Sequence, residues 1–414
     1  MNSPARPGPF RTSEVPLADP YPHYQRYREA DPVHRAEDAW YLFRHRDVAR
    51  VLTGRDFGRG TLPAPIPRQC PHLLRTVRNW MVFMDPPRHT AVRALAARAF
   101  TPRTVETLRP RIHRIVTALA DELATRQRAD LVADFAAPLP ILVISELLGV
   151  PASDRPWFRA RAVDLQQATS SRAGRRPDAL AVAEAAAREL DGYFRAQLAR
   201  RGPGEEDLIA AMLAAAAGGP LDEDVLTGTC IHLLTAGHET TTNLLCKGML
   251  ALLAHPFQLR LLRDRPELLP DAVEELIRYD SPVQMISRWA HTDADLGGRT
   301  VARGEKVVLV LGSANRDPAR FPDPERLDIR RDARRHCGFG LGAHYCLGAP
   351  LARVEAEAGL RSLLHGLPGL ALCPDDPVRY AQDLVFHGPE RMPVRTGAHP
   401  ATGTHPAITH HLRR

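Results

Sequence analysis

Apolar residues recur at intervals of three and four along much of this chain, which is the spacing of amphipathic helices. The pattern predicts helices over 21–30, 47–52, 85–99, 104–126, 139–148, 178–200 and 271–279. The longest candidate, 222–254, follows the break Gly218-Gly219-Pro220. It is apolar on most sides (Leu226, Ile231, Leu234, Leu245, Leu252), so it is expected to be buried. Its middle departs from that pattern: Thr235-Ala236-Gly237-His238-Glu239-Thr240-Thr241-Thr242-Asn243. A polar patch inside a buried helix is costly unless it is satisfied or used. Gly237 removes a side chain and opens a notch, and Thr240 can turn its hydroxyl onto the carbonyl of Ala236. A threonine-rich packing kink and a small polar pocket both remain open at this point.

Strand-like runs are shorter: 40–43, 306–311 and the closing segments 384–388 and 392–395. The Gly- and Pro-rich stretch 54–71 reads as irregular, and 170–177 reads as a loop between two helices. The fold class that follows is mainly α with smaller β sheets (α+β).

The stretch 337–353 reads Cys-Gly-Phe-Gly-Leu-Gly-Ala-His-Tyr-Cys-Leu-Gly-Ala-Pro-Leu-Ala-Arg. It is a glycine-rich loop that delivers Cys346 to a helix start, with Pro350 suited to the first turn. Helix N-termini favour a thiolate and can donate hydrogen bonds to its sulfur. The Lys-Ser/Thr of a phosphate loop is missing, and no Cys-x-x-Cys points to zinc. One cysteine in a shaped loop suits an axial ligand to heme iron. Elsewhere, His89 and Arg93 lie four apart and share a helix face, either as an exposed basic surface or as a grip on an anion.

Phe339-Gly-x-Gly342-x-His344-x-Cys346-x-Gly348 resembles the heme-binding signature of cytochromes P450, in the form found in soluble bacterial members. The resemblance runs over 32–394 and includes Ala236-Gly237-x-Glu239-Thr240-Thr241, similar to the family's oxygen-activation motif. It implies a single catalytic domain over 16–396, with 1–15 flexible and 397–414 a disordered tail. Heme b (iron protoporphyrin IX) would lie between the long central helix and the cysteine loop, with Cys346 on the iron. Phe339, Gly340, Gly348, Ala236 and Gly237 would border the heme. His89, Arg93, Arg288 and His344 would hold the propionates, and Glu239 and Thr240 would be the acid–alcohol pair that passes protons. Glu275 and Arg278 would form a buried structural pair completed by Arg326, with Arg330 the alternative. Substrate would meet Trp80, Met81, Val82, Leu233, Val283, Met285, Ile286 and Phe386, whose apolar character suits a hydrophobic small molecule. The implied activity is monooxygenation, hydroxylating or epoxidising in a secondary-metabolite tailoring step. A peroxide-using peroxygenase is one alternative, and a non-catalytic heme sensor is another.

Composition narrows the setting. A net charge of +7 is carried largely by scattered arginines, which argues against nucleic-acid binding and reads either as an arginine-rich soluble surface or as a basic face for an acidic electron-donor protein. A ferredoxin and its reductase are the implied donors, because no second domain for flavin or iron–sulfur binding is visible. The six cysteines show no paired spacing, which suits a reducing cytoplasm. No signal peptide or membrane span is expected, and the protein is expected to be a monomer.

Overall fold

A helix of 32 residues, Glu223–Ala254, runs through the middle of the molecule and is the element on which the others are stacked. Its start is well specified. Asp222 accepts the backbone N–H of Val225 at 2.9 Å, and Glu223 and Asp224 complement the positive end of the helix dipole. Helices Pro71–Arg78, Pro138–Leu147, Ala179–Arg200, Leu269–Tyr279 and Ala349–Gly366 pack around it. One large apolar cluster fills the space between them. The computed structural model describes residues 7–36, 38–60, 66–97, 100–166, 177–201, 207–216 and 222–397.

A five-stranded sheet flanks the helical body, in the order Val33–Arg35, Trp40–Leu42, Lys306–Val310, Met285–Ala290, Phe57–Gly58. Trp40–Leu42 pairs parallel to Lys306–Val310, and the other pairs are antiparallel. Arg288 sits opposite Val307 in this sheet, which fixes its register along the strand. The closing strands Pro389–Arg391 and Pro393–Arg395 pair in two smaller sheets.

The helices at Tyr21–Ala30, Pro102–Ala124, Pro138–Leu147 and Ala179–Arg200 fall where the apolar spacing places them. Helices Arg155–Gln166, Leu208–Ala216 and Pro256–Asp264 are additional to those the spacing predicts. Within the stretch expected to be irregular, Phe57–Gly58 is a strand, and Pro71 begins the helix Pro71–Arg78. That helix buries Leu73, Thr76 and Val77, three or four apart, under a proline at its first position.

Residues 7–15 correct the expectation of a loose N-terminus. Phe10 and Val15 are buried, and Phe10 packs edge-on against Tyr27 and Phe43. Proline-rich composition removes the periodic signal there, but the aromatic cluster holds the segment. The expected loop 170–177 lies almost wholly outside the described residues, as does the tail beyond 397. Among the described residues, no helix is long and apolar enough to cross a membrane.

Candidate active site

The cysteine loop is locked before it reaches Cys346. The backbone N–H of Cys337 donates to Asn315 Oδ1 at 2.7 Å, and that of Cys346 donates to the carbonyl of Phe339 at 2.8 Å. Gly342 adopts φ +68° where a Cβ would lie 2.4 Å from the carbonyl oxygen of Leu52, so only glycine fits there. Arg353 lies 4.6 Å over the ring of Phe339 and pairs with Glu274. The helix Ala349–Gly366 then begins just after Cys346, with Leu347 and Gly348 between them.

Cys346 is half-buried on the wall of a cavity of about 1260 Å³. Burial pushes its thiol pKa up, against the lowering effect of the Gly348 and Ala349 backbone N–H groups and of Arg93 and Arg353. The helix N-terminus therefore opposes protonation, as its position in the sequence implies, but burial outweighs it in the protein alone. A coordinated metal ion reverses that balance and deprotonates a ligating thiol.

The central helix forms the facing wall. Ala236 and Gly237 are exposed to the cavity within an otherwise buried stretch, and a Cβ on Gly237 would meet nothing within 4 Å. The Thr240 hydroxyl donates to the carbonyl of Ala236 at 3.2 Å, the back-bond expected from the sequence. The helix stays continuous through this point. Glu239 and Thr240 both line the cavity.

A cationic rim closes one side. His89 and His344 face each other with ring centroids 4.0 Å apart. Arg93 donates to the carbonyl of Tyr345 at 2.7 Å. Burial lowers the Arg288 guanidinium to about 10, with Asp85 opposing. Burial, with His89 and three arginines nearby, drives His344 down to about 3. The Nε2 atom of His89 is buried without a partner. Arg59 joins the rim, held by carbonyls of Val82 and Ser287 at 2.8 Å. Burial and the charge of Arg288 lower it to about 9, although Asp85 accepts its backbone N–H at 2.7 Å. Three guanidiniums and two imidazoles, with Asp85 acting on Arg59, Arg288 and His89, form a cradle that accepts further negative charge. The two carboxylates of heme fit that requirement, and Cys346 on the adjoining wall fits its iron.

All the predicted cavity residues meet here. Phe339, Gly340 and Gly348 line the cavity beside Cys346. So do Trp80, Met81, Val82, Leu233, Val283, Met285, Ile286 and Phe386, and Val283 and Phe386 are joined by an isolated β-bridge.

Glu275 and Arg278 stand apart from the cavity as a fully buried pair, with Nε–Oε2 at 2.6 Å and Nη2–Oε1 at 2.9 Å. Their expected third partner is corrected. Arg331, not Arg326 or Arg330, brings its Nε to Glu275 Oε1 at 3.2 Å. Arg326 contributes its backbone carbonyl, which accepts from both Arg278 and Arg331. The turn after Asp323, at φ +47°, carries the chain so that Arg331 returns to the pair.

Two further cavity groups escape sequence reasoning. Arg59 sits in the stretch expected to be irregular, where no spacing rule applies. Glu355 lies on the helix Ala349–Gly366, buried on the same stripe as Leu351 and Ala358, with Oε2 unpartnered. Burial raises its carboxyl to about 8, against a hydrogen bond from Thr241. An acid on an apolar helical stripe is the signal that could have found it.

The family model described as Cytochrome P450 matches residues 262–367. Cytochrome P450 monooxygenase PikC of Streptomyces venezuelae is 41% identical over 391 residues, covering 91% of this chain and 91% of that one. Nocardicin C N-oxygenase of Nocardia uniformis is 40% identical, covering 92% and 98%. The crystal structure of CalO2 superposes with a TM-score of 0.88 at 35% identity, covering 94% and 99%. The chain belongs to the cytochrome P450 family and is an enzyme of its monooxygenase class.

Proposed function

We propose that this enzyme holds heme b (iron protoporphyrin IX) through the Cys346 thiolate and oxidises a hydrophobic small molecule with dioxygen. The carrying observation is that Cys346 and the Gly237–Thr240 notch share one cavity, rimmed by His89, Arg93, Arg288 and His344. When bound, the heme supplies redox chemistry that, with two external electrons and two protons, divides dioxygen between the substrate and water.

The protein's own residues position and protect that chemistry. Arg93 and Arg288 would neutralise the propionates, and His89 and His344 would donate N–H hydrogen bonds to the same carboxylates. Phe339, Gly340 and Gly348 leave room for a flat ring system against the loop. Glu239 and Thr240 would deliver protons at the Thr240 Oγ, a positioned acid–base role. The apolar wall of Leu233, Val283, Met285, Ile286 and Phe386 would exclude water and orient the substrate. The basic surface suits an acidic ferredoxin, served by a reductase, and the enzyme would act as a monomer in the cytoplasm. Relatives named for nocardicin C and mycinamicin IV support a tailoring step in secondary metabolism.

The carbon monoxide difference spectrum of the reduced protein tests this reading. A strongly red-shifted Soret band is expected, and Cys346→Ser should abolish it while circular dichroism stays unchanged. A wild-type band typical of histidine or thiol ligation would overturn the reading.

A further inference from the structure

The central helix reaches one wall of the cavity through a buried ammonium. The Lys247 side chain is 1% exposed, and its Nζ lies 2.8 Å from the Ser281 carbonyl, 2.7 Å from His387 Nδ1 and 2.8 Å from Asp280 Oδ1. An ammonium has three protons, and these acceptors take all of them. The His387 tautomer is set at its other nitrogen. Nε2 stands 2.6 Å from the Leu17 carbonyl, which can only accept, so Nε2 carries the proton and Nδ1 receives from Lys247. Burial and the Lys247 charge hold this imidazole neutral, with its pKa down at about 4. Tyr21 donates to the same Asp280 oxygen at 2.6 Å.

Ser281 and His387 mark one end of a two-stranded ribbon. The His387 N–H donates to the Pro282 carbonyl and the Gln284 N–H to the Val385 carbonyl, both at 2.9 Å, and the Val283–Phe386 bridge lies between them. Val283, Ile286, Leu384, Val385 and Phe386 of this ribbon line the cavity, and so does Leu17. Lys247 stands behind that wall, outside the lining. Thr240 to Lys247 is two turns of unbroken helix, about 10 Å of rise, so the notch and the pin belong to one rigid element.

A buried charge is an expensive way to fill a core position, and an apolar side chain of similar length packs there at lower cost. Apolar packing has no direction, however. Three hydrogen bonds from one ammonium admit a single arrangement of the central helix, the ribbon and the segment at Leu17.

We propose that Lys247 is a positioning residue, which pins the ribbon wall at a fixed distance from the Thr240 notch and so sets the bulk of the group that fits between the wall and the reacting centre. This rests on reading the cavity as a monooxygenase pocket.

The test is spectral titration of the heme-loaded enzyme with imidazole and with 4-phenylimidazole. Both ligate heme iron, and only the second carries a ring that extends to the wall. Wild-type enzyme should bind 4-phenylimidazole the more tightly. Lys247→Met keeps the length of the stem and removes all three donors. His387→Phe keeps the stack on Tyr380, at 5.3 Å and 18°, and cuts only the ribbon's links to Lys247 and Leu17. Each variant should weaken 4-phenylimidazole by about fivefold, the worth of about 40 Å² of apolar contact as the wall recedes, and leave imidazole within about twofold. If Lys247→Met fails to fold, His387→Phe carries the same test alone. A lowered urea midpoint with both affinities unchanged would show that Lys247 supports only the fold, and overturn the proposal. Equal weakening of both ligands, or no wild-type preference for 4-phenylimidazole, would overturn it as well. The carbon monoxide spectrum of the same preparation separates the two readings: heme-loaded protein without the thiolate band would sink the monooxygenase mechanism, while the ratio of the two imidazole affinities would still report the position of the wall.

Discussion

The side chain of Asn315 joins Cys337 to the core of the protein: its Oδ1 accepts the Cys337 backbone N–H at 2.7 Å. Its Nδ2 donates to Ser281 Oγ at 2.8 Å, and its backbone carbonyl accepts from Arg278 Nη1 at 3.0 Å. The cysteine loop therefore hangs, through one buried asparagine, on the Glu275–Arg278 pair. Asn315→Ala leaves the Cys337 N–H without its partner, at a cost of about 1–3 kcal/mol. The urea midpoint should fall accordingly, and the fraction of protein showing the thiolate band should fall with it. A lowered midpoint with an undiminished band would mean that Asn315 supports the fold but not the loop.

Arg278 and Arg331 both reach Glu275, and their burial separates their effects. Arg278 is completely buried, so Arg278→Met leaves the Glu275 carboxylate in the interior with only Arg331 and the Asp328 backbone N–H on Oε1, a loss of up to about 3–5 kcal/mol. Arg331 is partly open, with 14% of its side chain exposed, and much of its bonding goes to the carbonyls of Pro322, Asp323 and Arg326. Arg331→Met should cost clearly less. Chemical denaturation of the two variants side by side checks the order, and an equal loss would place Arg331 on the same footing as Arg278.

These two residues also mark where the sequence is legible. Glu275 and Arg278 are three apart on one helix, so local geometry alone pairs them. Arg331 lies far along the chain, beyond a turn with a positive φ at Asp323, and no periodicity reports where that turn points. The same contrast holds elsewhere. Cys346, Glu239, Thr240 and the pair His89–Arg93 sit in regular helices or in a glycine-patterned loop, where local spacing picks the residues out and the resemblance to cytochromes P450 supplies their roles. Arg59 depends on an irregular segment folding back so that the carbonyls of Val82 and Ser287 hold its side chain on the cavity wall, which only tertiary packing decides. Phe10 and Val15 give no sequence signal because the prolines around them hide a cluster that forms only when the sheet and the helix Tyr21–Ala30 are assembled.

Thr240 donates to the Ala236 carbonyl at the open notch left by Gly237, which places its oxygen on the cavity wall. A positioned proton donor contributes about 10²–10⁴-fold to a proton-transfer step. Thr240→Ala should therefore divert electrons from product to hydrogen peroxide. Peroxide released per NADH, measured with a surrogate ferredoxin and reductase, should rise several-fold, and Thr240→Ser should restore the wild-type value. Equal peroxide yields in wild type and Thr240→Ala would remove Thr240 from the proton path.

Glu355 gives the protein a pH dependence that can be assigned to one residue. Burial raises its carboxyl from 4.5 to about 8, so the folded state holds a proton that the unfolded chain releases. The sign follows from linkage. Between those two values the folded state binds more protons than the unfolded one, so stability falls as pH rises. This contribution is fully present below about pH 4.5 and is lost as pH passes through about 8. Within the window the slope from this residue approaches about 1.4 kcal/mol per pH unit at most. Glu355→Gln keeps the neutral shape and can still bond to Thr241, but it cannot ionise. Urea midpoints of the heme-loaded enzyme at pH 6 and pH 8 should therefore fall more for the wild type than for Glu355→Gln, and the variant should be the more stable of the two at pH 8. Parallel falls in both proteins would mean that Glu355 is not the group that titrates.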